Sequence, residues 1–209
     1  MRIIAGELKG RRLHRLEGKQ TRPTSDRLRE TIFNILSFRT QQAVVLDLFS
    51  GTGAMAIEAL SRGADSAVLV DDSPHAISLI TQNIRSFSLE KKARVQKWNI
   101  ALNLDLLRHV QPQFDLVFMD PPYNRNMIGH ALDHLLQSAS LAAQACIVVE
   151  HSVLESIRLD HPEFELYDQR IYGKTVVSFI SFNPPLPDGH EHAEKLTKTA
   201  LGDRHHDLL

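Results

Sequence analysis

Asp120, Pro121, Pro122 and Tyr123 follow directly on the apolar run FDLVFM at 114–119. These residue types suit one task closely. An exocyclic amine on a nucleobase is a poor nucleophile, because its lone pair is drawn into the ring. Hydrogen bonds from that amine to the Asp120 carboxylate and the Pro121 carbonyl would favour a pyramidal nitrogen whose lone pair can attack an electrophilic carbon. Proline fixes φ and also restricts the residue before it, so the acceptors are set in place before a substrate arrives. Tyr123 offers a face on which a base drawn out of its helix can stack. The plain alternative is a Pro-Pro turn with a surface tyrosine, and the rest of the chain decides between them.

The stretch DLFSGTGAMA (47–56) is the deciding neighbour. Gly51 and Gly53 fall in a strand-to-helix turn, where missing side chains let a ligand approach the backbone. Asp71 lies 20 residues after Gly51, at the end of SAVLVD, which is the spacing of an acid that binds a ribose. A nicotinamide dinucleotide and S-adenosylmethionine (SAM) both present such a ribose, so Asp71 leaves the two open. Asp47 favours SAM, since a carboxylate there suits the cationic amino group of its methionine and would repel a pyrophosphate. Together with Asp120 to Tyr123, the pattern points to methyl transfer from SAM to a base amine. A DNA adenine-N6 or cytosine-N4 methyltransferase uses the same logic, but 209 residues leave little room for a target-recognition domain. An NAD-linked oxidoreductase would be stabilised by NAD(H) rather than by SAM. A binding module without catalysis would not need the Asp-Pro-Pro-Tyr corner.

The elements that must position these residues alternate. Strands are expected at 43–49, 66–71, 93–98, 114–120 and 145–150, with helices at 53–62, 74–87, 101–110 and 127–138 between them, the pattern of a parallel sheet covered on both faces. Residues 164–182 read as a hairpin about Gly173-Lys174 that closes the sheet edge. A first helix starts near Thr24 and Ser25, with Leu28, Ile32, Ile35 and Leu36 on one face and Arg27, Glu30 and Asn34 on the other. Three regions follow: a basic extension with the first helix (1–39), the catalytic domain (40–183), and a tail of prolines, histidines and charges (184–209) that reads as disordered. Residues 1–39 hold ten Lys/Arg against four Asp/Glu, a charge of +6, which leaves −7 for the rest of a chain whose total is −1. A basic segment on an acidic body suits a polyanionic partner. The single Cys146 lies inside an apolar strand and reads as core, no Cys/His spacing suggests a metal site, and no run approaches the length of a membrane span. Glu150 and His151, at the tip of the fifth strand, read either as a pocket wall or as a strand end.

On these residues the chain resembles the RsmD-type bacterial methyltransferases that modify a guanine N2 amine in 16S ribosomal RNA. The resemblance covers residues 2–182 and rests on RIIAG with KGRRL (2–13), TRPTSDRLRETIFNIL (21–36), LDLFSGTGAMAIEALSRGA (46–64), FDLVFMDPPY (114–123) and YG (172–173). It implies a Rossmann-like α/β fold with a seven-stranded, mostly parallel sheet and an antiparallel C-terminal hairpin strand. It implies SAM as cofactor, held by Asp47, Phe49, Gly51, Gly53, Asp71, Asn99 and Thr24, with Asp120, Pro121, Pro122 and Tyr123 catalytic. Arg11, Arg12, Arg22, Arg27 and Arg29 would meet the RNA, and Arg22 to Thr24 would lie near the cofactor and target base. The expected partner is ribosomal RNA or the small-subunit particle, and the expected protein is a cytoplasmic monomer without a metal. The chain departs from the family pattern at Ser50, Thr52 and Ala56 of the turn, at Asp71 in place of Glu, and at Asn99 in place of the common Asp.

Overall fold

The computed structural model describes residues 1–15, 26–123 and 125–185. Seven strands form one sheet: β1 (Val44–Leu48), β2 (Ser66–Asp71), β3 (Ala93–Lys97), β4 (Phe114–Met119), β5 (Leu141–Ser152), β6 (Phe164–Tyr172) and β7 (Thr175–Phe182). Their order is β3-β2-β1-β4-β5-β7-β6. The first five are parallel to their neighbours, and β7 enters antiparallel between β5 and β6. The helices are α1 (Asp26–Leu36), α2 (Ala54–Ser61), α3 (Pro74–Ser86) and α4 (Met127–Ser138).

Strand residues alternate between two cores, as a period of two requires. Val44, Leu46 and Leu48 of β1 pack with Ile128, Leu132 and Leu135 of α4. Val45 faces the other way, into a core shared with Phe33 of α1, Ala59 and Leu60 of α2, and Ile80 and Ile84 of α3. Burial on both faces explains why β1 is apolar at every position but Asp47. Since α2 and α3 cover one face and α4 the other, the crossovers change sides between β1 and β4. The carboxyl ends of those strands open a crevice there, which is where open α/β sheets bind ligands.

Residues 1–15 lie against α2 and α3, with Ile3 and Leu13 buried beside Ala54, Ile57 and Phe87. Glu58, fully buried in α2, holds them: it accepts from the amides of Ile4 (2.8 Å) and Ala5 (3.0 Å) and from Arg62 Nε (2.8 Å).

Three expectations need correction. Residues 101–110 do not form a helix; only a 3-10 turn at Asp105–Leu107 is present. The side chains of Asn99 and Asn103 accept from the amides of Ala101 and Asp105 two residues on, local bonds that compete with helix. β5 is longer than 145–150 because its first residue, Leu141, pairs with Phe114 across an irregular register, and because β7 extends the pairing to Ser152. On α1 the buried stripe holds Arg29, Ile32, Phe33 and Leu36, while Ile35 is exposed. Phe33 sets that rotation by packing on Phe118, centroids 5.5 Å apart. Thr24 and Ser25, expected to cap this helix, and all but the first two residues of the 184–209 tail lie outside the described residues. No helix among the described residues is long and apolar enough to cross a membrane.

Candidate functional site

β1 hands over to α2 through a turn with three residues at positive φ: Phe49 (59°), Gly51 (56°) and Gly53 (74°). The two glycines are there for different reasons. A Cβ on Gly53 would stand 2.9 Å from Leu69 Cδ2, so its bareness serves packing against β2. A Cβ on Gly51 would meet nothing nearer than Phe49 O at 4.0 Å. The bare face of Gly51 therefore leaves a cradle open rather than relieving a protein contact.

Two carboxylates brace this turn from below. Asp71, ending β2, accepts from the amides of Gly51 and Ser73, each at 2.9 Å, and so ties the turn to the start of α3. Asp47, on β1, accepts from the amide of Ala56 at 3.1 Å in the first turn of α2. Asp47 is 3 % exposed, and no lysine or arginine among the described residues forms an ion pair with it. Burial first, and the nearby Asp71 charge less so, push its carboxyl up to about 7, with the Ala56 N–H pulling the other way. A buried acid beside a second acid, under an open glycine cradle, is suited to a ligand bearing a cation and a diol. That is the chemistry of SAM, and the residues present fit it.

Asp120 stands on the same rim. Leu48 and Met119 are the last partners of the β1–β4 register, so Phe49 and Asp120 follow side by side. The Asp120 residue is exposed. Its pKa is raised, first by lost hydration, then by the charges of Glu150 and Asp47. Pro121 is buried and Pro122 and Tyr123 are exposed. Tyr123 donates its hydroxyl to Glu150 Oε1 at 3.3 Å. Burial, followed by the charges of Glu150 and Asp120, pushes that hydroxyl up to about 12, so it keeps its proton at neutral pH and serves as a hydrogen-bond donor. Asn99 lies two residues past β3, exposed, its side-chain oxygen already accepting from the amide of Ala101 at 3.1 Å; a second lone pair of that oxygen is available for an adenine amine.

The arginines divide. Arg12 and Arg27 are exposed and line two open hollows of about 350 and 370 Å³ beside the N-terminal segment, together with Arg2, Lys9 and Arg15. These hollows belong to the arm rather than to the Asp120 rim. Arg11 is exposed but engaged, bonded to the carbonyl of Ser86 and seated 4.6 Å from the Phe87 ring centroid. Arg29 is a correction: it is fully buried, bonded to the carbonyl of Arg2 and paired with Asp26 (3.1 Å) and Glu58 (3.5 Å). It fastens the arm to α1 and α2 and presents nothing to a phosphate. Arg22 and Thr24 lie outside the described residues. Cys146 is 1 % exposed in β5, and burial raises its thiol pKa, with the Tyr167 hydroxyl 3.2 Å away.

Sequence reasoning missed Asn83. It is fully buried in α3, accepts from the amide of His14 at 2.7 Å, and donates to the carbonyls of His14 (3.2 Å) and Thr52 (2.9 Å). One side chain thus joins the arm to the glycine turn. The readable signal was a polar residue within the apolar stripe of Ile80, Ile84 and Phe87, as Glu58 is within AMAIEALS.

Comparison with known proteins gives a consistent picture. A family model described as conserved hypothetical protein 95 matches residues 1–181. Ribosomal RNA small subunit methyltransferase D of Haemophilus influenzae is 35 % identical over 153 residues, covering 72 % of this chain and 78 % of that protein. The Escherichia coli K12 protein of the same name is 32 % identical over 174 residues, covering 83 % and 86 %. An RNA methyltransferase from Salinibacter ruber, solved with S-adenosyl-L-homocysteine, shares the fold with a TM-score of 0.60 at 12 % identity, over 80 % of this chain and 97 % of that one.

Proposed function

The chain belongs to the conserved hypothetical protein 95 family, that of ribosomal RNA small subunit methyltransferase D, and from that premise we propose that it methylates the N2 amine of a guanine in small-subunit ribosomal RNA, with SAM as cofactor. The observation that carries the reading is the shared rim: Asp120 to Tyr123 and the turn bearing Gly51 and Gly53, with Asp47 in the last residues of β1 beneath it, lie at the carboxyl ends of adjacent strands.

Asp47, Phe49, Gly51, Gly53, Asp71 and Asn99 would hold SAM, with Thr24 added from the segment outside the described residues. When bound, SAM supplies a methyl carbon made electrophilic by its sulfonium, whose sulfur leaves as a neutral thioether. The Asp120 carboxylate and the Pro121 carbonyl each accept one N–H of the base amine and orient its lone pair outward. The raised pKa of Asp120 makes it a better acceptor for the proton that the methylated nitrogen sheds. Tyr123 supplies a ring for the base and is steadied by its hydroxyl on Glu150. Arg12 and Arg27, with Arg22 and in part Arg11, would meet the RNA backbone and make affinity fall with salt.

The test is labelled methyl transfer to ribosomal RNA from a strain lacking this protein, followed by mapping of the modified base. Label on a guanine N2 of the small-subunit RNA supports the reading. No label in RNA, but label on adenine N6 of DNA, overturns it.

A further inference from the structure

The fold sets Glu150 directly beside Asp120. Met119 and Val149 are the last partners in the β4–β5 register, so Asp120 and Glu150 follow on parallel strands about 4.8 Å apart. Glu150 is half-buried at the rim, and Tyr123 fixes its Oε1 through the hydroxyl at 3.3 Å. Its charge is felt at Asp120. The rim therefore presents two adjacent carboxylates, one more than is needed to hold a single amine.

The bases that carry exocyclic amines differ in what stands next to that amine. Guanine offers N1–H beside N2–H, two donors in a row. Adenine has the bare N1 beside its N6 amine, and cytosine the bare N3 beside its N4 amine, each an acceptor. We infer that Glu150 accepts the ring N1–H of a guanine whose N2 amine is held by Asp120, and so selects guanine from among the bases with exocyclic amines. The inference rests on the guanine-N2 reading. The Asp-Pro-Pro-Tyr corner serves any exocyclic amine; the second carboxylate attracts a base with two adjacent donors and repels one with an acceptor there.

The test compares guanine with 2-aminopurine at the target position. 2-Aminopurine keeps the amine at C2 but has an acceptor at N1. Ribosomal RNA carrying either base, as free RNA and as reconstituted small-subunit particles, is given to the parent and to Glu150→Gln. The parent should favour guanine in kcat/KM by about tenfold or more. In Glu150→Gln the ratio should collapse toward one, because an amide can accept from N1–H or donate to bare N1. Comparing ratios removes the intrinsic difference in reactivity between the two amines. SAM affinity and melting temperature of the variant should match the parent. If Glu150→Gln does not fold, Tyr123→Phe, which keeps the ring and removes the hydroxyl that fixes Glu150, should lower the ratio part of the way. A ratio unchanged in the folded variant overturns the role of Glu150. Parent enzyme that labels guanine in neither form of RNA overturns the N2 reading itself, a separate outcome.

Discussion

Asp47→Asn should make the ligand-free protein more stable at pH 8 while weakening its hold on SAM. Asp47 is buried and its carboxyl titrates at about 7 in place of 3.8. A folded pKa above the unfolded one means that the folded chain holds the proton more tightly. The stability this brings is complete below the unfolded value near pH 4 and is lost as pH rises through 7. Each tenfold gain in proton affinity is worth about 1.4 kcal/mol, so the whole loss is roughly 4 kcal/mol. Between pH 5 and pH 8 it is about 2–3 kcal/mol, or about 5–10 °C in melting temperature for a chain of this size. Asparagine keeps an oxygen for the Ala56 amide but does not titrate. The stability of Asp47→Asn relative to the parent should therefore be about 2–3 kcal/mol greater at pH 8 than at pH 5. Urea unfolding of both proteins at both pH values measures this double difference; groups that do not feel the Asp47 charge cancel from it, while Asp120, which does, ionises more easily in the variant and adds with the same sign. SAM should raise the melting temperature of the variant less than that of the parent. A double difference within about 0.5 kcal/mol of zero, or of opposite sign, would refute the account of Asp47 as a buried acid awaiting a cation.

Other outcomes follow from the same geometry. Asp120→Asn should lower kcat on the order of a hundredfold or more while SAM affinity by calorimetry is kept. In the parent, methyl transfer should fail as pH drops, with its acid limb above the ordinary carboxylate range because Asp120 is raised; a limb near pH 4 would count against Asp120 acting as a charged acceptor. Glu58→Gln should cost about 3–5 kcal/mol in urea unfolding, since it removes the buried anion of Arg29 and leaves it only the half-exposed Asp26. Arg12→Ala and Arg27→Ala should each lower RNA affinity and reduce the salt slope by about one. Arg29→Met should instead act through stability, with the salt slope of RNA binding unchanged.

Much of this site could be read before any coordinates. The alternation of apolar strands and helices placed β1 and β4, and their tips had to share an edge once the sheet was parallel. The turn at Gly51 and the rigid corner at Asp120 were legible because each has a backbone reason to be what it is. What escaped reading depends on contacts distant along the chain. Arg29 sits in a helix whose neighbouring Arg27 and Glu30 face water, and the groups that make its burial tolerable include the Arg2 carbonyl in the arm and the carboxylate of Glu58 in α2, both far along the chain. The hairpin of β6 and β7 was visible, yet which strand touches β5 depends on the other residues packed around it. The local bonds of Asn99 and Asn103 compete with the helix expected at 101–110.

Asn83 is a single peg on which two ropes are tied. His14, in the N-terminal arm, and Thr52, in the midst of the turn under the cradle, hang from the same amide. Cutting it with alanine would slacken both at once, so a defect in gripping RNA would arrive together with a defect in gripping the small molecule. Phenotypes that look like two lesions can have one origin, inside α3, at a residue that neither partner touches.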